Sequence, residues 1–262
     1  DLAQLDQFDN PPDPERVIEG LRDTGYDFNT AIADIVDNSI AANATTVDIL
    51  VMMDPNCDVT VYIADDGTGM DMAGLKNAMK YGSDRRPDPS SLGKFGLGLK
   101  TASTSFCRKL SLVSRGNDNK IRKVQWDLDF VAQNGWKLKN LTPSEDEIDL
   151  LEVTTKGKTG TLVVWEQNDR ILMRQYKSVT AAKKALDKMV DELRFHLSAV
   201  YQRFIDTSFT DAPNVVISLN GKPIKPWDPF CTKESETELL AQQKIVLQAY
   251  GQDTIFPKSF LL

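Results

Sequence analysis

Three stretches of this chain combine carboxylates, amides and glycines at spacings that could do chemistry. In Asp34-x-x-Asp37-Asn38 the surrounding pattern is helical, so Asp34 and Asn38, four residues apart, stack on one face. An amide oxygen suits Mg²⁺, and a carboxylate beside it could orient or deprotonate a water. A solvated polar face opposite a core-facing stripe is the other reading. The second stretch, Asp65-Asp66-Gly67-Thr68-Gly69-Met70, follows an apolar run. Its glycines would let backbone approach a planar ligand closely, and its carboxylate could accept from an exocyclic amine such as that of adenine. A plain strand-to-helix turn uses the same residue types. The third is Gly93-Lys94-Phe95-Gly96-Leu97-Gly98-Leu99-Lys100. Glycines ahead of a helix can present backbone N–H groups to phosphate oxygens, with Lys94 and Lys100 adding positive charge. It is not a P-loop, because Leu99 separates Gly98 from Lys100, and the wide glycine gap comes first, unlike the dinucleotide fingerprint. A fourth, weaker feature is Gly160-Thr161, where a hydroxyl could reach a ligand through water or simply belong to a strand.

The elements that must position these residues follow from periodicity. Asn29 to Ala42 reads as a helix with Ile32, Ile35, Val36, Ser39 and Ile40 on one face and Asp34, Asp37, Asn38 and Ala41 on the other. A shorter helix is expected over Glu15–Leu21, ended by Gly25. Thr46–Met53 and Val59–Ala64 alternate as strands about the Asp54-Pro55-Asn56 turn. Met72–Lys80 looks helical, and Gly82–Leu92, rich in Ser, Asp, Arg and Pro, reads as a mobile loop. A short helix is expected to end near Cys107. Leu110–Ser114 and Ile121–Leu128 form a hairpin pattern, Leu141–Asp149 an acidic loop, and Leu150–Thr154 and Thr161–Glu166 two further strands. Val179–Ile205 reads as one long helix with a buried stripe of Leu186, Met189, Val190, Leu193, Leu197, Val200, Tyr201 and Phe204. Val215–Leu219, the Asn220-Gly221 turn and Ile224 suggest a hairpin that opens a new unit. Strands and helices mixed with hairpins predict an α+β, two-layer α/β sandwich, a mixed sheet with helices on one face.

With 262 residues the chain can bury a core without metal or disulfide staples. Its net charge of −7 argues against a nucleic-acid clamp driven by this segment's charge alone. Cys57, Cys107 and Cys231 show no CxxC spacing, which argues against a zinc site and fits a reducing compartment. The polar, acidic start is no signal peptide and no apolar run reaches the length of a membrane span, so a cytoplasmic setting is expected, nuclear in a eukaryote. His196 reads as structural, and the scattered tryptophans as core packing.

The order of the motifs, from Asp34-x-x-Asp37-Asn38 through Asp65-x-Gly-x-Gly and Gly93-x-x-Gly96-x-Gly98 to Gly160-Thr161, resembles the GHKL ATPases: gyrase B, the Hsp90-type chaperones, the histidine kinases and MutL. The wording of Asp66–Met70 and Gly96–Thr101 is similar to the microrchidia-like and MutL-like branch. The resemblance implies the Bergerat form of the sandwich, with ATP and Mg²⁺ as ligands. Asn38 would hold Mg²⁺, Asp65 would accept from the adenine amine with Thr161 helping through water, Gly69 and Met70 would border the base, and Gly67 would belong to the same nucleotide-binding loop. Gly93, Lys94, Phe95, Gly96, Leu97 and Gly98 would wrap the phosphates as the end of a lid begun by Gly82–Leu92, with Lys100 nearby. Asp34 stands where the family usually has the glutamate that activates water, one methylene shorter, and Ala41 where many relatives carry Asp. The implied layout is an N-terminal arm over 1–15, an ATP-binding domain over 16–206 and the beginning of a transducer-like domain over 207–262. The implied activity is slow ATP hydrolysis whose lid closure drives homodimerisation or clamp closure, with DNA or a protein client engaged by regions outside this chain and no membrane contact. A nucleotide-binding regulatory or interaction module with little or no turnover is the alternative.

Overall fold

Alternate apolar residues at Val47, Ile49 and Val51 make β1 (Thr46–Met53), and the same period at Val59, Val61 and Ile63 makes β2 (Val59–Asp65). Their antiparallel register sets Val47 opposite Asp65, which puts that carboxylate at the end of β2 beside the start of β1. The computed structural model describes residues 10, 12–81, 98–172, 176–210, 212–229, 231 and 234–238. Among them, β3 (Cys107–Arg115), β4 (Ile121–Asp127), β5 (Lys139–Leu141), β6 (Gly160–Asn168), β7 (Val216–Leu219) and β8 (Lys222–Pro223) complete one eight-stranded sheet. The order is β5-β4-β3-β6-β2-β1-β7-β8, antiparallel throughout except where β7 joins β1 in parallel.

The helices are α1 (Pro14–Arg22), α2 (Phe28–Ala41), α3 (Met72–Met79), α4 (Gly98–Thr104), α5 (Leu128–Asn134), α6 (Glu145–Thr155), α7 (Val179–Val200) and α8 (Gln202–Ile205). The two faces of the sheet are visible along β6. Val163 and Trp165 join the main core with Ile32, Ile35 and Val36 of α2, and Leu193 and Leu197 of α7 belong to the same core. Leu162 and Val164 point the other way, into a smaller cluster with Leu151 of α6. The main helix layer therefore covers one face, as expected, and α6 adds a partial cover to the other.

Three expectations are corrected. The acidic loop over 141–149 and the strand over 150–154 are instead β5 and α6. Ser144 and Glu147 close a reciprocal capping box there, and three acidic residues fill the first turn. The long helix over 179–205 ends at Val200, and Tyr201, 1% exposed, turns into the core while Val200 is left 51% exposed. The hairpin expected to open a new unit is β7–β8 of the same sheet, so the compact unit runs to Pro226 and the expected 206/207 boundary falls inside it. The second unit begins at Trp227, and in it Thr237 Oγ1 donates to the Cys231 carbonyl at 2.8 Å. Most of the N-terminal arm lies outside the described residues.

Candidate functional site

Asp27 caps α2 by accepting from the backbone N–H groups of Asn29 and Thr30. Its buried stripe then fixes which way the polar face looks, toward the layer holding α4 and α7. Asp34, Asp37 and Asn38 are half-buried rather than solvated. Asn38 Nδ2 donates to the Asp34 carbonyl at 2.6 Å, and Tyr26 Oη donates to Asp34 Oδ2 at 2.9 Å. A Cβ on Gly98 would lie 3.7 Å from Asp34 Oδ2, so the carboxylate faces the first residue of α4. Asp37 turns to α7 instead, accepting from Tyr201 Oη at 2.7 Å; burial pushes its carboxyl above the ordinary value while that hydrogen bond opposes the shift.

Asp65 is 5% exposed at the end of β2. Burial pushes its carboxyl up to about 6, against the opposing effect of donors from the Gly67 N–H at 3.0 Å and Ser39 Oγ at 2.9 Å. Thr161 sits directly across the β2–β6 ladder from Asp65. The Thr161 hydroxyl lies 2.9 Å from Ser114 Oγ, which also accepts from the Met70 N–H at 2.8 Å. Gly69 has φ +62, and a Cβ there would collide with the Arg115 carbonyl oxygen, so only glycine lets this loop lie against β3.

These groups surround a cavity of about 440 Å³ whose walls include Asn38, Asp65, Gly69, Met70, Leu99 and Thr161. The mainly apolar lining, with one buried carboxylate and a few hydroxyls, suits a flat heteroaromatic ring that carries a donor. Gly67 lies behind Asp65, its Cβ position 2.8 Å from the Ala42 carbonyl oxygen. Lys100 is 2% exposed, its ammonium donating to the Ala78 carbonyl at 2.8 Å, and burial brings its pKa down to about 8. It thus braces α4 against α3 beside Leu99 and Ala78, which line the cavity. Gly93, Lys94, Phe95, Gly96 and Leu97, with the loop over 82–92, lie outside the described residues. No cluster of three or more His, Cys, Asp or Glu side chains able to hold a metal exists among the described residues.

Sequence reasoning missed three members of the site. Ser39 reads as part of an apolar stripe, yet a hydroxyl in such a stripe is itself a sign of a buried acceptor opposite. Ser114, the junction of Met70 and Thr161, carries no local signal because its partners are distant in sequence, and Tyr26, eight residues before Asp34, lies ahead of α2 where no helical period points to it. No helix among the described residues is long and apolar enough to cross a membrane.

Comparison with known proteins gives a family and three relatives. The family model described as histidine kinase-, DNA gyrase B- and HSP90-like ATPase matches residues 26–161, just over half of the chain. ATPase MORC2 of Homo sapiens and ATPase MORC2A of Mus musculus are each 30% identical over 92 residues, 34% of this chain and 9% of theirs. Protein MICRORCHIDIA 2 of Arabidopsis thaliana is 32% identical over 77 residues, 28% of this chain and 12% of its own. The similarity thus spans about a tenth of the length of these curated relatives.

Proposed function

Because the chain belongs to the histidine kinase-, DNA gyrase B- and HSP90-like ATPase family, we propose that it binds Mg-ATP in the cavity floored by Asp65 and hydrolyses it. The observation that carries this reading is the buried Asp65 carboxylate, which faces a largely apolar cavity and already holds two donors. An adenine amine would supply the donor that makes its ionised form favourable. Thr161 assists through water, and Gly69 and Met70 border the base. Asn38 is the protein's ligand for Mg²⁺, which when bound neutralises phosphate charge and orients the terminal phosphate. Residues 93–98 wrap the phosphates, with Lys94 adding positive charge, while Lys100, its ammonium on the Ala78 carbonyl, holds α4 in place behind them. Asp34 accepts the proton of the attacking water as its oxygen bonds to the γ-phosphorus; the bond to the bridging oxygen breaks, releasing ADP and phosphate.

The test is calorimetric titration with a non-hydrolysable ATP analogue and Mg²⁺. Saturable binding that Asp65→Asn abolishes is the expected result. A folded wild-type protein that takes up no analogue would end the ATPase reading for this chain.

A second reading, a nucleotide-dependent regulator with little turnover, is favoured by Asp34 itself. Aspartate is one methylene shorter than the usual glutamate, and a misplacement of about 1 Å can cost about 10²-fold in rate. Asp34→Glu separates the two: a rise in kcat of tenfold or more would mark the native site as slow by construction. Lid closure, nucleotide-driven homodimerisation and engagement of DNA or a protein client by other regions belong to the same proposal. The unit from Trp227 onward is where a transducer-like domain would begin.

A further inference from the structure

Gly25, at φ +78, ends the approach from α1, and Tyr26 turns inward before α2 starts at Phe28. The ring packs half-buried against the main core, and its hydroxyl donates to Asp34 Oδ2 at 2.9 Å. Thr101 of α4 is a second hydroxyl partner of the same phenol. Burial, reinforced by the hydrogen bond to Asp34 and its charge, pushes the phenol above its ordinary value, so it stays protonated and donates. A phenol has one proton to give. With that proton on Asp34, the phenol has none left for Thr101, whose own hydroxyl donates to the Gly98 carbonyl at 3.4 Å.

We propose that Tyr26 is a positioning residue for water activation: it fixes the Asp34 carboxylate toward the start of α4. The inference rests on the reading of Asp34 as the group that accepts the water's proton. An aspartate on a partly open helix face rotates freely about its last bond. Donation to Oδ2 stops that rotation and leaves Oδ1 to take a water. The carboxylate so held faces Gly98, the first residue of α4. A shortened acid gains most from such a hold, because its reach leaves little tolerance for a wrong angle. Tyr26 as mere filler predicts something different, since phenylalanine fills the same space.

The experiment uses the whole chain and four proteins: wild type, Tyr26→Phe, Asp34→Asn and the double variant. Steady-state ATP turnover gives kcat and KM, and Mg-dependent affinity is read with a non-hydrolysable ATP analogue. Tyr26→Phe should lower kcat roughly tenfold or more, with KM and analogue affinity within about twofold. In the Asp34→Asn background it should cost nothing further, because the two residues act as one unit. An unchanged kcat in Tyr26→Phe, or an equal loss in both backgrounds, would overturn the inference. If Asp34→Asn silences turnover while Tyr26→Phe leaves kcat unchanged, the inference alone falls. If wild-type turnover is absent or indifferent to Asp34→Asn, the reading of Asp34 falls with it.

Discussion

Asp65 shows how one residue sets a conflict between folding and binding. The folded protein holds its proton up to about pH 6, whereas the unfolded chain releases it near the ordinary 3.8. Folding therefore takes up a proton in that window, and stability is lost as pH rises from about 4 through about 6. Holding the carboxyl at about 6 rather than 3.8 corresponds to something on the order of 3 kcal/mol. Asp65→Asn should remove that loss, so the difference in stability between wild type and variant should grow across pH 4–6 and favour the variant at pH 7.5. Thermal melts of the two apo proteins at several pH values check it; parallel curves would refute the assignment. The same sign governs ligand binding. An adenine amine needs an acceptor, so affinity for the ATP analogue should fall below about pH 6, by up to about tenfold per pH unit. Gly69 carries a separate demand. Both its φ of +62 and the closeness of the Arg115 carbonyl oxygen to where a Cβ would stand forbid a side chain, so Gly69→Ala should lower stability and distort the cavity together.

At the scale of elements, the site depends on helices held by a few directed bonds. Tyr201, where α7 ends, places its hydroxyl 2.7 Å from both the Ala33 carbonyl and Asp37 Oδ1 on α2. Tyr201→Phe leaves these acceptors without that donor and should cost about 1–3 kcal/mol. Denaturant titration should show a lower midpoint with unchanged slope. What the sequence disclosed about elements follows the same physics. β1, β2 and α2 were legible because each buries one face and so writes its period into the residues. Helix α6 was not: Ile148, Leu150, Leu151 and Val153 run together with β-branched Thr154, which resembles a strand when only apolar runs are weighed. The decisive signal was Ser144-x-x-Glu147, a capping box that fixes a helix start. Ser144→Ala should therefore cost roughly 1 kcal/mol and loosen α6 selectively, a change that amide exchange over Glu145–Thr155 would resolve.

The whole molecule places its site by pairing strands far apart in sequence, which is why site and boundary were unequally legible. Asn38, Asp65, Gly69 and Thr161 could be picked out by type and order, since each motif is local. Ser114 could not, because only the β3–β6 pairing brings it to Thr161, and Tyr26 could not, because it lies in the connection ahead of α2, outside any period that would point it at Asp34. The end of the domain failed for the same reason. The Asn220-Gly221 turn marks a hairpin correctly, but nothing local tells that β7 lies parallel to β1 and continues the sheet that carries Asp65. Val215, Ile217, Leu219 and Ile224 are at most 4% exposed. Four buried aliphatic side chains are worth roughly 6–12 kcal/mol of burial, comparable with the whole stability of about 5–15 kcal/mol of an ordinary domain. A chain cut after residue 206 would also leave one edge of β1 unpaired, a template for aggregation. It should lose cooperative unfolding or precipitate, and take up no ATP analogue, whereas a chain cut after residue 226 should melt cooperatively and keep its affinity. The two truncations, followed by calorimetry, decide the matter: a cooperative, analogue-binding protein ending at 206 would mean that β7 and β8 are an addition to the nucleotide-binding unit rather than part of it.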